Sequence, residues 1–493
     1  MLKSFGYDLM GNMTRMTEAD GTVTMYGHDA IYRLNRVTEN YRENVPSDND
    51  TNVLTKYAYD ARGLLTQIIN ANEAMTGFGY NEVGRLVRET DPLSKVWAYD
   101  YDGVGNRVYR RDANGDVSEY SFYPDDQLQQ ILYEDSKTVK YMYDPNNNRT
   151  EMQDWLGMTK WSYDPMNRVT YTQDPFDRSL QYAYDAAGNR TGMVYPDGNR
   201  VGYTYTPNNW MKTVKDAKDF LTQYERDKVG NITHIANPND TETDLTYDDV
   251  YRVLTLVNRQ TSGAKKTHSA FEYEYNDVGH VTQAIKKYGW RNPPKITETY
   301  DYDGLHRLSG VEIDPLKNNS DKVVMSYAYD RVGNRLNWTS NDDLTTQRPF
   351  DGFARTYKYN PANQLRSVSM DSVMPNGNLT TDFNYDSNGN RVRKLEISRN
   401  GPMYGVDYGF DYENRLVEAL NYQVVGFSGK DSGDSGDGNE DSPGENGDGK
   451  DVGANDGNED EIGNDALAGH RIDRDIMACP GYLCGKILTL TGF

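Results

Sequence analysis

The chain has 493 residues and a formal charge of −22, with 40 Tyr against 12 Phe, 44 Gly and only 36% hydrophobic residues. So little Leu and Ile excludes a helical bundle, and the acidic balance excludes binding to nucleic acid or to an anionic membrane through phosphate charge. The two cysteines, Cys479 and Cys484, exclude a disulfide framework and a zinc site built on cysteine.

The first residues, "MLKSFGYDLMGNMTRMTEADG", contain no apolar core and do not predict a signal peptide. No stretch approaches the roughly 18–20 apolar residues of a membrane span. From Tyr7 onward one pattern recurs. Full copies read "YDLMGN" at 7, "YDGVGNR" at 101, "YDAAGNR" at 184, "YDRVGNR" at 329 and "YDSNGNR" at 385. A variant reads "YDARGLL" at 59, "YNEVGRL" at 80, "YDPMNRV" at 163, "YDGLHRL" at 302 and "FDYENRL" at 410. Eroded copies sit at Tyr123, Tyr143, Tyr205, Asp227, Tyr247, Tyr275 and Tyr359, which brings the count to about 18. The period is about 21 residues in the first half and about 25–30 later, a lengthening expected in loops.

Each unit predicts a hairpin. Aromatics alternate before the turn, as at Tyr182 and Tyr184, and residues two apart share one face of a strand. Asp after Tyr can bond backbone two residues on, and Gly or Asn then supplies positive φ. The residues assigned to the turns of the full copies are Tyr101, Asp102, Gly105, Asn106 and Arg107; Tyr184, Asp185, Gly188, Asn189 and Arg190; Tyr329, Asp330, Gly333, Asn334 and Arg335; and Tyr385, Asp386, Gly389, Asn390 and Arg391. A second turn follows about 13 residues after the Tyr, as at Asp20-Gly21, Asn114-Gly115 and Asp197-Gly198. The two variants tend to alternate, so a four-stranded propeller blade of about 42 residues is the rival. About nine such pairs exceed the usual 4–8 blades.

These motifs resemble the YD-repeat or Rhs (rearrangement hotspot) family, over roughly residues 5–426. The family includes teneurins, the C components of insecticidal toxin complexes and wall-associated polymorphic toxins. The resemblance implies an all-β fold: a ribbon of hairpins spiralling into part of a hollow shell. It implies as partners the rest of a longer shell, the effector domain that the shell encloses or presents, and cell-surface glycans. It also implies that the intact protein is secreted or displayed at a cell surface. No plug region of the bacterial kind ("YYDP", "GRF") follows Arg415-Leu416, and the self-cleavage motif beyond it is absent, so activities that need them are not implied.

No enzyme chemistry stands out. Paired carboxylates invite a glycosidase, but Asp8, Asp60, Asp102, Asp144, Asp185, Asp303 and Asp330 all fill one turn slot. His28, His234, His268, His280, His306 and His470 show no metal-binding spacing. The arginines after Gly-Asn are expected to pair across strands or stack on Tyr, the other reading being ligand binding on a repeating face. No cofactor or metal is expected. Residues 427–466 are an acidic Gly/Asp/Asn run expected to be a disordered linker, and 467–493 a short atypical tail. From Ile476 the tail reads either as an apolar strand docking on the shell or as translation that has left the ancestral frame; the second is favoured.

Overall fold

The computed structural model describes residues 3–262, 266–289, 295–314, 322–341, 353–371, 379–398, 403–424 and 473–475. The linker and most of the tail, with Cys479, Cys484 and His470, lie outside them. The described regular elements are all strands, and thirty-seven of them form one sheet. From β1 (Ser4–Tyr7) to β36 (Leu416–Val424) each strand pairs antiparallel with the one before and the one after it, and β37 (Asp473–Asp475) adds to the edge of β36. A propeller would interrupt this ladder between blades; here it runs on from hairpin to hairpin.

The alternating pattern does what it predicts. In β17 (Ser179–Tyr184) Tyr182 and Tyr184 are half-buried, while Gln181 and Ala183 between them are exposed. The lengthened period is carried in part by the strands themselves and not by loops alone. Most strands between β6 (Leu65–Ile69) and β22 (Ile232–Ala236) have five or six residues, whereas β24 (Val253–Gln260) has eight and β25 (Thr267–Tyr275) nine. A longer strand covers more width of ribbon at the same turn chemistry.

The ribbon curves for a local reason. In all eighteen YD hairpins the register shifts at the strand's last residue, as between Ala183 and Tyr184, so the return strand carries one extra residue beside the turn. Such bulges bend a strand and increase its twist. The hairpins that close the other edge pair without a shift, apart from one at Asn258/Arg259. Bulges confined to one edge make every unit bend the same way.

The bend closes on itself. The turn after β29 (Val323–Tyr329) meets the turn after β6, the turn after β33 (Leu379–Tyr385) meets that after β10 (Arg107–Arg111), and the turn after β35 (Met403–Phe410) meets that after β12 (Leu128–Tyr133). The offset is 23 strands each time. An odd offset brings YD turns of the second coil onto the plain turns of the first. At about 4.8 Å per strand, one coil is about 110 Å around and about 35 Å across between backbones.

Among the described residues no second layer covers the sheet, and fully buried side chains are few. The main cluster is Val311, Val323 and Met325, packed by Tyr300, Leu308, Ile313, Tyr327 and Trp338. Stability therefore depends on contacts between neighbouring units.

Candidate functional site: the turns and the seam between coils

The recurring chemistry of the repeat collects at its turns. In the hairpin of Asp185, the Asp185 amide donates to the Asn189 carbonyl at 2.9 Å and the Gly188 amide donates to the Asp185 carbonyl at 3.2 Å. Asp185 Oδ1 accepts from the amides of Ala187 and Asn189 at 3.0 and 2.9 Å, and Oδ2 from Asn189 Nδ2 at 3.0 Å. Gly188 has φ +92°, the left-handed conformation that closes such a loop. Asp102, Asp330 and Asp386 likewise accept at Oδ1 from the amide and at Oδ2 from the side chain of Asn106, Asn334 and Asn390. The side-chain bond from Asn189 is the main reason that the Asp185 carboxyl titrates below the ordinary range.

The preceding tyrosine ties its turn to the previous unit. Tyr184 Oη donates to the Val169 carbonyl at 2.9 Å. Tyr101 reaches Leu86 at 2.8 Å, Tyr329 reaches Leu308 at 2.9 Å and Tyr385 reaches Leu365 at 2.9 Å. The acceptor is always the first residue of the previous return strand. This is why the chain uses Tyr where Phe would fill the same space: the ring packs and the hydroxyl holds a neighbouring backbone group.

The residue four after the Asp couples each turn to the next. Where it is Arg, it reaches forward over the following turn. Arg85 Nη1 donates to the Asp102 carbonyl and Arg168 Nη1 to the Asp185 carbonyl at 2.8 Å, and Arg168 lies 4.7 Å from the centre of the Tyr184 ring. The left-handed residue beneath it is then Gly; a Cβ at Gly105 would stand 3.2 Å from Arg85 Nη2, whereas at Gly188, beneath Arg168, and Gly333, beneath Arg307, nothing lies within 4 Å of one. Trp210 crowds Gly230 as Arg85 crowds Gly105: a Cβ there would stand 3.0 Å from the indole. Where the fourth residue is Asn, it donates instead to a side chain at the next left-handed position. Asn189 Nδ2 bonds Asn209 Oδ1 at 2.9 Å, Asn334 bonds Asn363 at 2.9 Å and Asn390 bonds Asn414 at 2.7 Å. In these turns Arg and Trp are followed by Gly at the next left-handed position, and Asn by a residue with a side chain.

The arginines after Gly-Asn lie on strands. Arg107 sits 5.5 and 5.4 Å from the rings of Tyr99 and Tyr120, Arg190 5.0 Å from Tyr203, Arg335 4.4 Å from Tyr357 and Arg391 5.1 Å from Tyr408. Each cation faces an aromatic ring of the ribbon itself.

Between coils the turns meet through side-chain and backbone hydrogen bonds. Asn72 Nδ2 donates to Asp330 Oδ2 at 2.9 Å, the Gly304 amide to Asp50 Oδ2 at 2.9 Å and Arg307 Nη2 to the Asn49 carbonyl at 3.0 Å. At one end the seam opens into a cavity of about 1040 Å³. Tyr133 stacks on Tyr412 there at 5.8 Å and donates to Glu413, and burial together with that carboxylate pushes its phenol up. Three of the acids around it are paired: Asp135 with Lys137 at 2.6 Å, and Asp411 and Glu413 with Arg415, each at 2.7 Å.

The sequence misplaced one eroded copy by a residue. Phe122 holds the tyrosine position, and Tyr123 occupies the aspartate position at the turn. Of the histidines, His234 pairs with Asp244 at 2.7 Å, and His280 stacks between Tyr302 at 4.8 Å and His306 at 5.4 Å. No cluster of three or more His, Cys, Asp or Glu suited to a metal occurs among the described residues.

The RHS Repeat family model matches residues 80–117, 163–200 and 184–220. The matched segments carry RHS repeats, which supports assignment to the Rhs/YD-repeat family. A probable deoxyribonuclease, RhsB, of Dickeya dadantii is 22% identical over 40% of this chain and 12% of its own length. The tRNA nuclease WapA of Bacillus subtilis is 25% identical over 38% of this chain and 10% of its own. The YD-repeat ribbon thus matches about a tenth of the length of these relatives. Among solved structures, TcdB2-TccC3 aligns with TM-score 0.59 at 15% identity over 87% of this chain and 28% of that one. The Tc holotoxin pore of Photorhabdus luminescens aligns with TM-score 0.57 at 14% identity over 87% and 27%. At such identity these likenesses speak for the fold: the shell ribbon of the Tc toxins.

Proposed function

We propose that the ribbon is a non-catalytic wall segment of a longer Rhs/YD-repeat protein of the toxin-like kind, enclosing or presenting a C-terminal effector. The observation that carries this reading is the closure of the coil at an offset of 23 strands, turn edge against turn edge. A sheet wound in this way makes a tube, and its bore of about 35 Å between backbones leaves room for another chain. The turn residues assigned at 101–107, 184–190, 329–335 and 385–391 act on this reading as wall fittings, since their acceptors and donors face one another. The Tyr and Arg rows are likewise occupied within the ribbon, which favours the wall over a glycan-reading surface. The nuclease names of the relatives fit a delivered effector, and the intact protein would then act at or beyond the surface of the cell that makes it. No helix among the described residues is long and apolar enough to cross a membrane.

Limited proteolysis of the intact protein tests this. The wall predicts that the effector segment resists protease while the ribbon is folded and is cut rapidly once Asp112 and Asp386 are replaced to open the seam. Equal cleavage rates in both forms would refute enclosure.

A further inference from the structure

Among the described residues Asn-Gly occurs twice, at Asn114-Gly115 and Asn388-Gly389, and the two face each other across the seam. Each closes a turn with its glycine left-handed, at φ +100° and +88°. Such turns do not themselves need asparagine: Asp20-Gly21, Asp197-Gly198 and Ala187-Gly188 close with glycine at φ +88°, +82° and +92°. The seam needs it. Asn388 Nδ2 donates to Asp112 Oδ2 at 2.7 Å, and Asn114 Nδ2 to Asp386 Oδ2 at 3.0 Å. Asn-Gly is also the dipeptide most prone to deamidation, because glycine has no side chain to keep its nitrogen from the asparagine's Cγ.

We propose that Asn114 and Asn388 form a paired deamidation site, shielded while the coil is closed and converted when it opens, so that a coil left open cannot close again. In the reaction the glycine nitrogen gives up its proton to water and bonds to Cγ. The Cγ–Nδ2 bond breaks, ammonia leaves, and one water opens the resulting succinimide to aspartate or isoaspartate. The closed seam opposes the first step. The Gly115 and Gly389 amides donate to the Asp112 and Asp386 carbonyls at 3.1 and 3.2 Å, as in any such turn. The second restraint exists only across the seam. Asn114 Oδ1 accepts from the amides of Ser387 and Asn388 at 2.8 and 3.3 Å, and Asn388 Oδ1 from those of Ala113 and Asn114 at 2.9 and 3.3 Å. Held so, neither Cγ can swing onto the nitrogen beside it, and the reaction proceeds only in the fraction of time the seam is open. The product cannot remake the contact. A carboxylate at 388 would meet Asp112, itself only 3% exposed, where an amide donor stood. The surroundings are already acidic: burial and the charges of Asp112, Glu134 and Asp386 push the Asp116 carboxyl above its ordinary range. The inference rests on the closure of the coil and not on what the coil encloses.

Peptide mapping by mass spectrometry of the full chain, aged at mildly alkaline pH, tests this in the parent, in Asn114→Asp and in Asn388→Asp. Retained β-sheet spectra establish that the variants are folded, and Asn114→Ala or Asn388→Ala, which remove the contact without adding a charge, replace either one that is not. In the folded parent both asparagines should convert several-fold more slowly than in the same chain held in urea. Asn114→Asp should raise the rate at Asn388 several-fold, and Asn388→Asp the rate at Asn114, because each has lost the partner that pins it. In urea the remaining asparagine should convert as it does in the parent. At neutral pH Asn388→Asp should melt below Asn388→Ala, since the carboxylate repels where alanine only omits. Conversion of the folded parent as fast as in urea, a rate at either asparagine unchanged by loss of the other, or a rate difference that persists in urea overturns the shielding. An aspartate variant that melts no lower than the alanine variant overturns the irreversible opening.

Discussion

Asn114 and Asn388, 274 residues apart, hold each other's turns. Asn114 Oδ1 accepts from the Ser387 amide at 2.8 Å while its Nδ2 donates to Asp386 Oδ2 at 3.0 Å. Asn388 Oδ1 accepts from the Ala113 amide at 2.9 Å while its Nδ2 donates to Asp112 Oδ2 at 2.7 Å. The exchange is reciprocal, and it joins a plain turn of the first coil to a YD turn of the second.

Asn388→Ala should cost about 1–3 kcal/mol, because it removes a donor from Asp112, whose carboxylate is buried. Asn114→Ala should cost less, as Asp386 keeps its own Asn390. Denaturant melts of both single variants and of the double should show a coupling of about 0.5–3 kcal/mol. Strict additivity would mean that the two turns do not act together.

The tyrosine hydroxyls can be counted energetically. Replacing Tyr101, Tyr184 and Tyr329 by Phe removes three backbone-directed hydrogen bonds and leaves the rings. At about 1 kcal/mol each, and additive because the sites are far apart in the ribbon, the triple variant should lose about 3 kcal/mol. A loss below about 0.5 kcal/mol would show that packing alone selects Tyr.

Strands and turns were legible because their causes are local. Asp185 makes its turn with residues no more than four away, and the alternation of Tyr with polar residues marks the half-buried face. The alternation of variants was visible too, but its cause was not. At Gly105 and Gly230 it lies in the reach of Arg85 and Trp210 across to the next unit, a contact made only after hairpins pair. The coil was illegible for a deeper reason. Its circumference is the sum of many small bends at bulges, and Asn72 or Asn114 looks like any other turn residue until the strand 23 positions later arrives. The hydroxyl partners were anticipated as a need; their identity as carbonyls one unit back came with the pairing register.

The coupling between turns is open to exchange. Gly230→Asn should destabilise by about 1–3 kcal/mol, since φ is +103° and the new Cβ meets Trp210. Adding Trp210→Asn supplies the partner that Asn189 gives Asn209 elsewhere in the ribbon. The double variant should therefore be more stable than the sum of the singles, by about 0.5–3 kcal/mol. Thermal melts of the four proteins decide it, and a cycle that closes to zero would remove the pairing rule.

Acid should open the turns together. At Asp8, Asp144, Asp164 and Asp185 the side-chain bond from the residue four later is the largest cause holding the carboxyl below its ordinary range. A carboxyl lowered in the folded state stabilises fully above its unfolded value, about 3.9, and that contribution is lost as pH falls through the folded value. Melting temperature should stay nearly level from pH 7 to about 5 and fall steeply below about 4. Asn148→Ala with Asn189→Ala should flatten the fall. A parent that melts at the same temperature at pH 3 and pH 7 would contradict this account of the turns.

The central claim is that the ribbon winds into a coil of 23 strands, and proximity across the seam tests it most directly. With Cys479 and Cys484 replaced by Ser, cysteines at Ala113 and Ser387 can be offered a short bismaleimide. The coil predicts an efficient cross-link within one molecule, identified by mass spectrometry of the joined peptides at dilutions where no dimer forms. In a folded but uncoiled ribbon the two positions would lie about 110 Å apart, so a protein that keeps its β-sheet spectrum and yields no intramolecular cross-link would contradict the account.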